Sequence, residues 1–255
     1  VGVTIANTRV AADIDTAPYT QDITTADLGG LTPVAAIIEV TRAITDGVQA
    51  DHYGFSIGAA TGASNEWCAS FSVEDGTAAA DTAQITSSSK CIVLLVPGDT
   101  TVDGEAEFSA WITNGIRINW TNAPGAAFLI KVKFIAGTDV SAHANNISLG
   151  DSEDNAVDIT APAFEPDFML AVCAGGLAID SSGTSPRLSI GLIHNGDSTV
   201  QGCHAFLYGH AAGTGNPDGR TTATYGIMQI TTVAALYAAG RNGALLNDGS
   251  GGHSL

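Results

Sequence analysis

The chain has 255 residues, with 26 Asp+Glu against 9 Lys+Arg and a formal charge of −17. Its hydrophobic fraction of 45% is too high for a disordered chain, and the length suits one large domain or two small ones. So acidic a chain argues against nucleic acid, whose phosphates are held by Lys and Arg, and against an anionic membrane surface.

The longest apolar runs, Phe168–Ala174 and Val233–Ala239, fall far short of the roughly 20 residues of a spanning helix. No basic segment followed by an apolar stretch opens the chain, so no signal peptide is expected. Only three lysines occur, Lys90, Lys131 and Lys133. The surface is therefore built from Thr, Ser, Asn, Gly, Ala and carboxylates, which lose little rotamer entropy at a contact. Such a surface suits a protein that packs beside its own copies, or an acidic protein from a salty habitat.

In chain order, residues 1–13 read as an N-terminal arm. Short apolar or alternating runs then recur between Gly, Asn, Asp and Ser, which is the strand pattern. They are Val34–Val40, Tyr53–Ala59, Trp67–Val73, Cys91–Val96, Phe108–Ile112, Ile116–Trp120 and Phe128–Ile135. Ile116-Arg-Ile-Asn-Trp120 alternates with period two, so one of its faces is buried and one wet. Later runs are Phe168–Cys173, Leu188–Ile193, Cys203–Tyr208, Tyr225–Ile230, Leu236–Ala239 and Ala244–Leu246. Asn114-Gly115 and Asn242-Gly243 are hairpin dipeptides. Many short strands with almost no helical periodicity indicate an all-β sandwich or barrel.

The chain also resembles itself. Asp22-Ile-Thr24 returns as Asp158-Ile-Thr160, and Pro33–Val40 as Pro166–Cys173. Phe55-Ser-Ile-Gly58 returns as Leu188-Ser-Ile-Gly191, Cys68-Ala-Ser-Phe71 as Cys203-His-Ala-Phe206, and Thr113–Asn119 as Arg241–Asn247. Five collinear matches point to two tandem antiparallel β-sandwich domains, jelly-roll-like, from an internal duplication. The first spans 14–141, a linker 142–155, and the second 156–255. The second copy has no counterpart of the strand Ala126–Ala136. That place would be filled by residues beyond Leu255, by Val3–Val10 of the same or a neighbouring molecule, or left as a blunt edge covered by loops.

Candidate chemistry is thin. Gly54-Phe-Ser56-Ile-Gly58 matches a nucleophile-elbow pattern, but no helix is expected after it, so Ser56 reads as a strand serine. Cys68, Cys91, Cys173 and Cys203 form no CxxC pair and read as small buried hydrophobes. A Cys68–Cys91 disulfide stays open. His52, His143, His194, His204, His210 and His253 are scattered. The carboxylates of Asp99–Glu105 and Asp151–Asp154 could hold Ca²⁺ but follow no loop pattern for it. Asn119-Trp-Thr121 and Asn146-Ile-Ser148 are glycosylation acceptors by pattern only. Trp67, Trp111, Trp120, Tyr53, Tyr208, Tyr225 and Tyr237 would stack on sugars if they reached a rim, and would otherwise pack in sheets. No catalytic, cofactor or metal residue is assigned, and no cofactor is expected.

Several local elements resemble a family of tandem-domain proteins among tailed-bacteriophage virion genes. These are Gly30-Leu-Thr-Pro33 leading into Val34–Val40, Ser89-Lys-Cys-Ile-Val-Leu-Leu95, Thr101–Phe108, Asn114-Gly-Ile-Arg-Ile-Asn-Trp120 and Ala136-Gly-Thr-Asp139. Leu31 stands where that family often has Phe, whereas Phe164 keeps it in the second copy. The second copy lacks the Lys-Cys pair and the Trp. The resemblance implies a non-enzymatic structural component of a phage virion, on capsid or tail. Its partners would be copies of itself and other virion proteins. The rival reading is a carbohydrate-binding adhesin that takes a host-surface glycan.

Overall fold

The computed structural model describes residues 2–48, 51–76, 81–147, 158–159, 162–175, 177–194, 201–210, 217–223, 227–232, 235–239, 246–247 and 253–254. Within them the chain is all-β and antiparallel, with one short 3₁₀ turn, Ala26–Leu28. The strands are β1 (Thr4–Ala11), β2 (Tyr19–Thr24), β3 (Pro33–Thr41), β4 (Tyr53–Gly62), β5 (Asn65–Val73), β6 (Thr82–Ser87) and β7 (Ile92–Leu95). They continue as β8 (Val102–Ile112), β9 (Gly115–Asn122), β10 (Leu129–Ala136), β11 (Asp158–Ile159), β12 (Phe168–Ala174), β13 (Ser182–Thr184) and β14 (Arg187–His194). The last are β15 (Gln201–Tyr208), β16 (Pro217–Thr222), β17 (Ile227–Thr232), β18 (Ala235–Ala239), β19 (Leu246–Asn247) and β20 (His253–Ser254).

Two sheets make a sandwich in the first half. One runs β1-β10-β3-β4-β5-β6-β13 and the other β2-β9-β8-β7. Alternation explains their packing: Ile130, Val132 and Phe134 point inward from β10 while Lys131 and Lys133 point out. They meet Ile38 and Val40 of β3 and Ile116, Ile118 and Trp120 of β9 in one core. Fully burying such side chains contributes about 1.5–3 kcal/mol each. The buried Trp120 indole donates to Gln21 Oε1 at 2.9 Å, and Gln21 Nε2 donates to the Ala11 carbonyl at 2.7 Å. The polar tip of a core residue thus pins the β1–β2 connection.

The ribbons β1–β10 and β2–β9 pair strands far apart in sequence, whereas β3–β6 and β7–β9 are local meanders. The Asn114-Gly115 hairpin forms as expected. Asn114 takes φ +65°, and a Cβ at Gly115 would lie 2.0 Å from the Ile23 carbonyl oxygen. Asn242-Gly243 lies outside the described residues.

Two findings differ from the sequence reading. The N-terminal arm is a strand: Thr4–Ala11 pairs with β10 along its whole length, so it does not fill a place in the second half. The halves are also joined by more than a linker. β13 pairs with β6 and extends the first sheet, and Leu188, Val172, Ala174, Ile190 and Phe206 pack on Ala69, Phe71, Phe55 and Val73. Phe71 and Phe206 meet at a tilt of 59°, with 4.7 Å between centroids. Gln84 clamps this junction, donating to the Gly175 carbonyl at 3.1 Å and accepting from the Arg187 amide at 3.0 Å. Of the expected linker, residues 142–147 lie against the first half: the Ala144 amide donates to Thr61 Oγ1, and Asn146 Nδ2 donates to the Glu66 carbonyl.

The second half carries a four-stranded sheet, β12-β14-β15-β16. Its register runs Ala171–Gly191–Cys203–Thr222. In the first half one register row runs Ile38–Gly58–Cys68–Ser87. β17 packs over β12, β14 and β15, and in the first half β7 packs over β3, β4 and β5. β12 ends its sheet among the described residues, where β3 has β10 on its other side.

Candidate functional site

A polar concavity in the first half sits at the start of β5, beside the middle of β8. It measures about 350 Å³ and is lined by Ser64, Glu66, Ser88, Ser89, Glu107 and Phe108, with Ala63 at its edge. Period two along β5 turns Glu66, Cys68, Ser70 and Ser72 toward β7, while Ala69 and Phe71 face the second half. Small residues on the β7 side let that strand approach closely. Ser56 accepts from the Val93 amide at 3.4 Å, and Ser72 Oγ donates to the Val96 carbonyl at 3.0 Å. These serines partner backbone groups at the edge of the second sheet, groups that would be costly if buried unpaired.

Glu66 is 6% exposed and accepts from the Phe108 amide at 2.7 Å. Burial pushes its carboxyl up to about 7, assisted by the charge of Glu107 and opposed by the Phe108 amide, the Cys91 thiol and Lys90. Cys68 and Cys91 lie close by, and burial raises both thiols well above their usual range. Outside this buried layer, Lys90 Nζ donates to Glu107 Oε2 at 3.1 Å and to Thr121 Oγ1 at 3.1 Å. Asn119 Nδ2 donates to Glu107 Oε1 at 2.9 Å, and Thr121 Oγ1 donates to Glu105 Oε1 at 2.9 Å. The bond from Asn119, with Lys90 beside it, holds the Glu107 carboxyl below its usual value. Two carboxyls with opposite shifts therefore share one cavity.

The residues singled out in the sequence scatter instead of converging. Ser56 is 1% exposed within β4, which runs on to Gly62 and turns into β5, so no elbow forms. All four cysteines are free thiols, and the Cys68–Cys91 disulfide does not form. Asp99 accepts from the Thr101 amide and hydroxyl, and Asp103 pairs with Arg42 at 2.8 Å. That loop spends its carboxylates internally, and no cluster of three or more metal-binding side chains occurs among the described residues. Asp151–Asp154 lies outside them.

Among the histidines, His210 Nδ1 accepts from the Thr82 amide, His52 Nδ1 from that of Asp75, and His204 meets Thr221. Trp120 is core, Trp111 packs edge-on against Phe108, and Tyr53 is exposed at 56%. Tyr225 and the Tyr237 side chain lie outside the described residues, as does Ser148 of the second acceptor pattern. The Glu66–Lys90–Glu107–Asn119 cluster was missed. Its only trace in sequence is a carboxylate, Glu66, standing in phase with the serines of β5.

Comparison with family models, with curated proteins and with solved structures finds no match for the chain.

Proposed function

We propose that the chain is a non-enzymatic structural component of a tailed-phage virion, on capsid or tail, that associates with its own copies through sheet edges. The two halves are read as duplicated sandwiches. The equivalent registers Ile38–Gly58–Cys68–Ser87 and Ala171–Gly191–Cys203–Thr222 support that reading. The phage setting rests on the local resemblances in the first half.

One observation carries the self-association: two long strands, β1 and β12, end their sheets among the described residues, and large apolar side chains stand exposed beside both. Val3 and Ile5 flank the first edge, at 54% and 62% exposure, and Phe168 and Leu192 the second, at 55% and 56%. Unpaired backbone groups next to exposed apolar side chains recruit further strands, and many weak contacts on a repeating lattice add through effective concentration.

Sedimentation of the native protein tests this. A fixed multimer, or co-sedimentation with particles, that is lost in the double variant Ile5→Glu, Phe168→Glu supports it. A protein that stays monomeric at high concentration and binds no particle refutes it. Glycan binding by that monomer would favour the adhesin reading.

A further inference from the structure

The polar row outside the second sheet holds the parts of a covalent cross-link. Lys90 stands just ahead of β7, Glu107 lies in β8 and Asn119 in β9, and Glu107 and Asn119 are direct register partners. One carboxylate binds both neighbours, the Lys90 amine on Oε2 at 3.1 Å and the Asn119 carboxamide on Oε1 at 2.9 Å. The lysine already reaches across β8, because its Nζ also touches Thr121 Oγ1 at 3.1 Å. Thr121 is two residues from Asn119, on the same face of β9. Lys90 is drawn in to 17% exposure, unusual for a residue that normally keeps its head in water.

We propose that Lys90 and Asn119 join through an isopeptide bond, with Glu107 as the catalytic carboxylate between them. Glu107 takes one proton from the Lys90 ammonium, and the freed electron pair on Nζ bonds to Asn119 Cγ. A second Nζ proton passes to Nδ2. The Cγ–Nδ2 bond then breaks, with its electron pair leaving on ammonia. Ammonia carries off the proton held by Glu107, which regenerates the carboxylate. One amide replaces another, so the exchange consumes no oxidant or further reactant. Positioning supplies the rate, since amine and amide are held against one carboxylate and need not meet by diffusion. The bond would tie the segment before β7 to β9 across β8 and restrict the unfolded chain as other cross-links do. This inference is independent of the self-association reading, since it concerns a single copy.

Intact mass of the full chain, measured denatured, tests it. The expected mass is that of the sequence less one ammonia, and a digest should yield a branched peptide joining Lys90 to Asn119. Glu107→Ala should restore the full mass. So should Lys90→Arg, which keeps the charge and a donor to Glu107 and so guards against simple misfolding. A wild-type mass equal to the sequence overturns the proposal. So does a loss of ammonia that maps to a succinimide at Asn114-Gly115 or Asn242-Gly243 with no branched peptide.

Discussion

Replacing Gly58 with alanine puts a methyl group where β4 and β7 already touch. A Cβ built there lies 2.2 Å from the Cys91 carbonyl oxygen, 2.7 Å from that of Trp67 and 3.0 Å from Cys68 Cβ. The two nearest obstacles are backbone, so no rotamer change relieves them, and β7 must retreat by roughly 1 Å. Overpacking of this kind costs about 1–3 kcal/mol. The retreat also breaks the Val93-to-Ser56 bond, already 3.4 Å long, at about 1 kcal/mol. The sum is about 3 kcal/mol. With an m-value of about 2 kcal/mol per M, the urea midpoint should fall by about 1.5 M. Two glycines serve as controls. Gly2→Ala meets nothing within 4 Å and should stay within about 0.5 kcal/mol of wild type. Gly29→Ala also meets nothing but sits at φ +61°, so it should lose about 1–2 kcal/mol from backbone strain alone. A Gly58→Ala protein as stable as Gly2→Ala would refute the close approach of β7 to the first sheet.

Glu66 gives a pH signature. Its carboxyl rises from 4.5 to about 7 on folding, so between those values the folded state keeps a proton that the unfolded chain releases. Its contribution is complete below pH 4.5 and is lost as pH rises toward 7, about 3 kcal/mol in all. Glu66→Gln should remove that slope from the urea midpoint, and an unchanged slope would assign it elsewhere. Arg42 donates to the Leu95 carbonyl and Asp103 and lies 4.6 Å over the Phe128 ring. Arg42→Ala leaves Asp103 at 16% exposure without its partner and should cost about 3 kcal/mol by denaturant titration, whereas a loss under 1 kcal/mol would show the pair to be idle. Phe206→Ala empties the contact with Phe71 and should cost about 3 kcal/mol. Faster amide exchange along β6 and β13 should accompany it, and protection equal to wild type there would mean that Gln84 and β13 hold the junction alone.

Most strands were legible because alternation is written one residue at a time, as in Ile116-Arg-Ile-Asn-Trp120. The partner of each face was not. In β5 the apolar set Trp67, Ala69, Phe71 and Val73 reads as the inward face of a sandwich. Ala69, Phe71 and Val73 instead meet the second half, while the Glu and Ser set lines the interior beside β7. Alternation shows which face is apolar, not which sheet covers it. β13 was invisible for a related reason. Ser182-Gly-Thr184 has no pattern of its own and is a strand only because β6 offers an edge. Asp180 helps to hold the approach, accepting from the Ser88 amide and hydroxyl. The Lys90–Glu107–Asn119 row joins residues from two strands and the segment before a third, and no local spacing announces it.

The order in which the first half can assemble follows from its pairings. β3 to β6 and β7 to β9 join sequence neighbours and can form as soon as each hairpin exists. β2 must wait for β9, with Asp22 opposite Arg117, and β1 for β10, with Thr4 opposite Ala136. During synthesis the first two strands therefore emerge long before their partners. Pairings this distant in sequence place folding in the slow range of milliseconds to seconds. The sandwich closes from its middle outward, and its N-terminal strand is among the last pieces to be fastened.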